Sequence, residues 1–161
     1  MPITAYLAEC QKLYAAGNAT EHSYRPALQK LLAELMPQCQ ITNEPKRIAC
    51  GAPDYIITRN DLPVGYIKAK DINLDLRHKT LQEQFNRYRS ALDNLIITDY
   101  LYFEFYREGK LVAHIRLADA LMGQIQPHPQ QFAEFARLIE NFAGYPGQTI
   151  NSPATLARMM A

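Results

Sequence analysis

Hydrophobic and polar positions follow two different periods along the chain, and the change of period predicts an α/β order of elements. Apolar residues recur every three to four positions in some segments, as on one face of a helix, and form β-branched or alternating runs in others. A succession of helices, a hairpin, a helix and further strands predicts an α/β fold with a mixed central β-sheet flanked by helices. The predicted helices are residues 4–16, 19–36, 79–92, 118–123 and 131–142, and the predicted strands are residues 40–43, 54–58, 64–70, 95–98, 101–106 and 111–116.

Two β-type runs, residues 51–58 and 64–71, stand at the centre of this pattern. A polar turn that contains a proline separates them, so they are predicted to pair as an antiparallel hairpin. The period of two places Lys68 and Lys70 on one face, and a suitable register brings Asp54 beside them. An acid at the start of one strand then faces an x-Ala-Lys unit on its neighbour, which is the arrangement of a metal-dependent phosphodiesterase site.

Composition and charge are those of an ordinary globular domain. The chain has 161 residues, of which 48% are hydrophobic and 20% charged, enough for one domain with its own core. Because the formal net charge is only +1, affinity for DNA would have to come from a local patch or from another domain. Three cysteines without Cys-x-x-Cys spacing predict reduced thiols. With no leader and no apolar run near the ~18 residues of a membrane span, we expect a cytoplasmic protein without a membrane partner.

The central motif resembles the PD-(D/E)xK nucleases. Pro53-Asp54 matches the PD element, and Lys68-Ala69-Lys70 occupies the place of (D/E)xK, with a lysine where the second acid should be. The surrounding residues, 44–55 and 65–72, are similar to the nuclease domain at the N-terminus of single-chain restriction–modification enzymes, the type ISP and related fusions. The resemblance extends from about residue 20 to about residue 117. It implies a restriction-endonuclease-like core, DNA endonuclease activity and Mg²⁺ or Mn²⁺ as the cofactor of the active form.

The resemblance assigns roles to three residues of the motif. Asp54 would be a metal ligand, the carbonyl of Ala69 a further ligand, and Lys70 the lysine that orients or helps to deprotonate the attacking water. Taken alone, Asp54 is more typical of a turn-and-cap aspartate after proline, and Lys70 of a solvated lysine at a strand end; only the joint pattern favours the site. Both are predicted to be polar strand-end positions whose replacement leaves the fold intact.

Two helical residues are further candidates for the same site. Glu21 matches the helical acid that joins the metal site in many members of the family, so it is a candidate metal ligand or water-holding residue. The alternative is that residues 18–21 form a capping box, with Glu21 reaching back to the backbone of Asn18. Gln84 and Tyr88 resemble the Gln-x-x-x-Tyr element of RecB-like nucleases, in which Gln84 would orient Lys70 or a DNA phosphate; the alternative is a solvated glutamine beside a core tyrosine.

Basic residues near these positions are candidate DNA contacts. Arg77, Lys79 and Arg87 form a local basic strip, which is also typical of a solvated helix face. Arg25 lies one turn after Glu21 and could hold a phosphate or pair with that acid.

Lys68 changes what the motif can do. Two unit charges ~4 Å apart interact by ~4 kcal/mol at an effective dielectric near 20, and an ammonium facing a divalent ion costs roughly twice that. Asp71 does not replace the missing acid, since it points to the opposite face of the strand. We therefore expect no metal bound by the chain as written and an inactive nuclease, either through an inactivating substitution or as a natural degenerate copy.

The predicted organisation is a nuclease-like domain over residues 1–150, followed at 151–161 by the start of a linker or helix that leads to further domains. The resemblance implies double-stranded DNA as the substrate, with helicase-like and methyltransferase domains in the same polypeptide. The domain is predicted to be a monomer in isolation and to be paired for double-strand cleavage. The alternatives are a catalytically silent DNA-binding or docking module with the nuclease fold, and an unrelated α/β interaction domain.

Overall fold

A six-stranded mixed β-sheet forms the centre of the molecule in a computed structural model that describes residues 1–43, 48 and 50–146. The helices are α1 (Pro2–Ala16), α2 (Arg25–Leu35), α3 (Lys79–Ala91) and α4 (Phe132–Ala143), and the strands are β1 (Gln40–Asn43), β2 (Tyr55–Arg59), β3 (Leu62–Ala69), β4 (Asn94–Thr98), β5 (Tyr102–Arg107), β6 (Lys110–Arg116), β7 (Ala118–Leu121) and β8 (Gln124–Pro127). The strand order is β1-β2-β3-β4-β5-β6, and β7 and β8 form a separate two-stranded sheet. The predicted α/β fold with a mixed central sheet is confirmed.

The helices are divided between the two faces of the sheet. Side chains of α1, α2 and α4 share one hydrophobic core with residues such as Ile57, Ile67 and Phe103 on one face. Side chains of α3 share a second core with Leu95 and Ile97 on the other face. Covered on both sides, β4 is buried along its whole length, as its apolar sequence predicts.

The connection through α3 makes β3 and β4 the parallel pair of the sheet. A chain that leaves one strand and returns parallel to it needs a crossover of a dozen or more residues, and α3 supplies it. The other neighbouring strands of the sheet pair antiparallel. The carboxyl ends of β3 and β4 therefore lie at the same edge of the sheet.

The β2–β3 hairpin forms as predicted, with a shorter turn. Asn60 and Asp61 have positive φ angles of 52° and 64°, the geometry of a two-residue hairpin turn, so Leu62 and Pro63 belong to β3. Tyr55 lies opposite Ile67 in the register.

Helix α2 is shorter than predicted. It begins at Arg25 rather than at residue 19, and residues 21–24 form a turn before it. Pro26 in the first helical turn favours a start there, because a proline in that position lacks only an N–H that has no helical partner.

The helix predicted at residues 118–123 is wrong: this segment is strand β7 and the turn into β8. Met122 and Gly123 have positive φ angles of 53° and 79° and form the turn. The side chain of Gln11 on α1 donates to the Gly123 carbonyl at 2.9 Å and accepts from the Ile125 N–H at 2.6 Å. These contacts from a distant helix override the local helical preference.

Two sequence-based predictions concern residues after 146, where the described part of the chain ends. The linker or helix predicted at residues 151–161, and the domain boundary at residue 150, lie outside the described residues. Within the described ranges, no helix has both the length and the apolar sequence needed to cross a membrane.

Candidate functional site

Asp54 is a buried acid at the entry of the central hairpin. It directly precedes β2 and only 2% of its surface is exposed. Its N–H donates to the Ile67 carbonyl at 2.9 Å, which extends the β2–β3 ladder by one residue and directs Asp54 towards the end of β3. Its Oδ2 accepts a hydrogen bond from the N–H of Ala69 at 2.7 Å. Ala69 thus presents its N–H to the carboxylate, whereas the resemblance implied a role for its carbonyl.

The ammonium of Lys68 lies beside the same carboxylate oxygen. Its Nζ is 3.5 Å from Asp54 Oδ2 and donates to the Ala52 carbonyl at 3.0 Å. It also lies 5.7 Å from the ring centroid of Tyr88, within the range of a cation–π contact. An acid, a carbonyl and an aromatic ring therefore surround an ammonium whose side chain is only 12% exposed. The structure brings Asp54 and Lys68 together as the strand register predicts.

The second oxygen of Asp54 is engaged by Arg25. Arg25 Nη2 donates to Asp54 Oδ1, and the two side chains are 10% and 3% exposed. The hydroxyl of Tyr55 donates to the Arg25 carbonyl at 2.8 Å and holds the first turn of α2 against the hairpin. Sequence reasoning missed this ion pair, because no local spacing connects two residues that are 29 positions apart.

Lys70 lies where β3 ends, half-buried and close to the same charges. Burial lowers the pKa of Lys70 and Lys68 lowers it further, whereas Glu21 and Asp54 act in the opposite direction. Its N–H donates to the Thr98 carbonyl at 2.9 Å, which ties it to the end of β4. Among the described residues, the Lys70 ammonium has no hydrogen bond or ion pair. It is therefore available to an anionic ligand.

Glu21 lies in the turn before α2 and contributes negative charge near Lys70. Its carbonyl accepts a hydrogen bond from the Tyr100 hydroxyl, and its Oε1 is 3.7 Å from His22 Nε2. The capping-box alternative is wrong, because the helix does not begin at residue 18. Thr20 instead donates its N–H to Ser23 Oγ at 3.0 Å. The role of Glu21 as a metal ligand stays a prediction.

Helix α3 contributes Tyr88 to the site but leaves Gln84 without a partner there. A Cβ on Gly51 would lie 2.5 Å from the Tyr88 hydroxyl, so the loop before Asp54 packs directly on this ring. The side chain of Gln84 is half-buried and makes no hydrogen bond to the rest of the described chain. Gln82 instead donates to the Leu76 carbonyl at 2.6 Å. The predicted contact of Gln84 with Lys70 or a phosphate stays a prediction.

Arg77 forms an ion pair with a buried acid outside this site. Its Nη2 donates to Glu104, whose side chain is 1% exposed, and this hydrogen bond raises the pKa of Arg77. The hydroxyls of Tyr102 and Tyr106 also donate to Glu104, each at 3.0 Å. Arg77 therefore neutralises an interior carboxylate, a network that no sequence motif indicated.

Lys79 and Arg87 are exposed on α3 and remain candidates for contacts with DNA. They lie on the helix that covers the second face of the sheet, next to the cluster formed by Asp54, Lys68 and Tyr88.

The residues present do not fit a divalent cation. Mg²⁺ requires several oxygen ligands, and carboxylates supply the negative charge. Here Asp54 Oδ1 accepts from Arg25, and Oδ2 accepts from the Ala69 N–H beside the Lys68 ammonium. Among the described residues, no three His, Cys, Asp or Glu side chains converge on one point.

Comparison with known proteins shows the fold. No family model matches the chain, and no curated protein matches it. A solved structure described as "cryoEM structure DrdV-DNA complex" is similar over 91% of this chain, with a TM-score of 0.69 and 19% sequence identity. The chain corresponds to 14% of the length of that chain. The restriction-endonuclease-like fold, a mixed sheet flanked by helices, is therefore shared with part of a protein that was solved bound to DNA.

Proposed function

We propose that this chain is a nuclease-type domain of a DNA-acting restriction–modification protein, and that it is catalytically silent in the present sequence. The observation that carries the proposal is the position of the Lys68 ammonium, 3.5 Å from the buried carboxylate of Asp54. In a PD-(D/E)xK motif this strand position supplies the second acid, and here it supplies a positive charge.

The surroundings of Asp54 support a nuclease ancestry. An acid before one strand, a lysine after the next and a tyrosine on the following helix meet at one end of the sheet. In an active relative, two carboxylates would hold Mg²⁺ or Mn²⁺, which activates water and neutralises charge on the phosphate. In this chain the same end of the sheet carries the half-buried Lys70, whose ammonium makes no hydrogen bond or ion pair within the described part of the chain.

Double-stranded DNA is the proposed partner. The similarity to a DNA-bound structure supports this choice. Because this chain corresponds to only 14% of the length of that chain, it fits one module of a larger enzyme. Helicase-like and methyltransferase domains in the same polypeptide would place the module on DNA. One such site cuts one strand, so the domain would be a monomer alone and would act in pairs for double-strand cleavage.

A second candidate function is a silent binding or docking module that needs no metal. The buried Arg25–Asp54 pair favours it, because this acid is already neutralised inside the protein. The two candidates differ in whether restoring one acid restores metal binding and cleavage.

The test is the Lys68→Glu protein. We expect it to bind Mn²⁺ or Mg²⁺ in a calorimetric titration and, once attached to its partner domains or highly concentrated, to nick or cut plasmid DNA. The reason is that the substitution replaces an ammonium by a carboxylate at a point facing Asp54, a change of two charge units where the ion would bind.

Two control variants separate removal of the ammonium from gain of a metal ligand, and metal binding from DNA cleavage. Lys68→Gln removes the ammonium without adding a ligand and should bind no divalent ion. Lys68→Glu combined with Lys70→Ala should bind the ion but fail to cut. If Lys68→Glu binds no divalent ion, either alone or combined with Arg25→Gln, the metal-nuclease proposal is contradicted. If it binds metal but the full-length enzyme never cuts, the silent module is supported.

A further inference from the structure

We propose that Arg25 is a second, independent positive charge that keeps divalent ions away from Asp54. This inference rests on the proposed function and extends it, because the motif itself accounts only for Lys68. Arg25 acts as a positioning residue: it holds the carboxylate by an internal ion pair and occupies one of the two oxygens that a metal would use.

The geometry of the pair carries the inference. The two oxygens of Asp54 face two different cations, Oδ1 facing Arg25 Nη2 and Oδ2 facing Lys68 Nζ. Replacing Lys68 changes only the surroundings of Oδ2. The guanidinium remains on Oδ1, and the Ala69 N–H remains on Oδ2 at 2.7 Å.

Arg25 is well anchored in this position. It opens α2, its carbonyl accepts from the Tyr55 hydroxyl at 2.8 Å, and only 10% of its side chain is exposed. A guanidinium is planar and permanently charged, so it does not leave the carboxylate by losing a proton. Displacing it would expose a buried acid or require another cation in its place.

The net charge of the side chains around Asp54 predicts how each substitution changes the affinity for a divalent cation. Arg25, Lys68 and Lys70 oppose the carboxylates of Asp54 and Glu21, which leaves one net positive charge in this cluster. Lys68→Glu turns the net charge of the cluster to minus one, and removing Arg25 as well makes it minus two. Each step favours a divalent cation, and the second step also frees Oδ1.

The experiment compares the affinity for Mn²⁺ of purified Lys68→Glu and Lys68→Glu/Arg25→Gln by isothermal titration calorimetry. We expect the double variant to bind Mn²⁺ about tenfold more tightly or better, as its site has one more free carboxylate oxygen and one less positive charge. Arg25→Gln alone should bind no ion, because Lys68 still faces Asp54. If the glutamine variant does not fold, Arg25→Met gives an unbranched, uncharged side chain for the same buried path.

Two matched variants show whether the charge at this point is responsible. Lys68→Glu/Arg25→Lys keeps a positive charge beside Asp54 and should stay close to Lys68→Glu. Lys68→Glu/Arg137→Gln removes one charge from an exposed pair on α4 and should also leave the affinity unchanged. Thermal unfolding of each protein verifies that the fold is intact.

The outcomes distinguish this inference from the proposed function. Binding by Lys68→Glu that does not tighten when Arg25 is replaced overturns the role of Arg25 and leaves the proposed function standing. Binding that appears only when Arg25 is also replaced supports both. No binding in either protein overturns both.

Discussion

At the scale of single residues, Asp54 is an interior ion-pair partner rather than a polar residue at a strand end. It is 2% exposed, and its two oxygens accept from Arg25 and from the Ala69 N–H. Because Asp54 is buried and not at a solvated strand end, we expect that its replacement destabilises the fold. The same carboxylate that a nuclease would use for metal binding stabilises the join between α2 and the central hairpin.

Asp54→Ala should lower the free energy of unfolding by roughly 3–5 kcal/mol, because it leaves the buried Arg25 guanidinium without this carboxylate. Urea denaturation at neutral pH measures the change. The control is Glu134→Ala, which breaks an exposed pair with Arg137 and should leave the free energy of unfolding nearly unchanged, because solvent screens that pair. Equal losses in the two proteins would show that the Asp54 pair adds no stability.

At the scale of elements, the join between β3 and α4 has no room for an extra methyl group. A Cβ on Gly65 would lie 2.4 Å from a ring carbon of Phe142 and 3.0 Å from the Asn94 amide. That amide donates to the carbonyls of Val64 at 3.1 Å and Phe142 at 2.9 Å, so one side chain of β4 joins β3 to the end of α4. This close approach holds β3, the strand that carries Lys68 and ends next to Lys70.

Gly65→Ala should destabilise the protein by about 1–3 kcal/mol, since the methyl group forces the ring of Phe142 or the backbone to move. Thermal unfolding should show a clearly lower midpoint. Gly144→Ala is the matched control: a Cβ there lies at least 3.4 Å from its neighbours and the φ angle of −81° is ordinary. An unchanged midpoint for Gly65→Ala would mean that this packing is looser than described.

At the scale of the whole molecule, positive and negative charges are nearly balanced, and several basic side chains bind acids or carbonyls of the protein itself. The net charge is +1, while Arg25 and Arg77 neutralise buried acids. The guanidinium of Arg59 donates to the carbonyls of Ala143 and Tyr145. Fewer cations are therefore available to DNA than composition suggests.

The isolated chain should bind duplex DNA weakly, with a dissociation constant on the order of 10⁻⁴–10⁻⁶ M at physiological salt, and lose binding as salt rises. Fluorescence anisotropy over a salt series measures both quantities. Lys79→Ala/Arg87→Ala should reduce the slope of log affinity against log salt by about two, because each exposed cation contributes about one phosphate contact. Lys12→Ala, on a helix of the opposite face of the sheet, should leave the slope unchanged. Sequence-specific binding at physiological salt would contradict this prediction.

The local pattern of hydrophobic, polar and turn residues by itself determined most of the fold and one contact of the candidate site, that between Lys68 and Asp54. Helix α3, the buried strand β4 and the β2–β3 hairpin follow from periodicity and turn residues, which act between near neighbours in the chain. The approach of Lys68 to Asp54 also follows, because a hairpin register is set by alternation over a few residues.

Only the tertiary structure decided what surrounds that contact. The partners Arg25 of Asp54 and Arg77 of Glu104 are 29 and 27 positions away along the chain, and no period relates them. The β7–β8 hairpin likewise replaced a predicted helix because Gln11, from α1, binds its backbone. Burial makes such pairs obligatory, since an interior charge or peptide group needs a partner, but which partner reaches it depends on how distant elements pack.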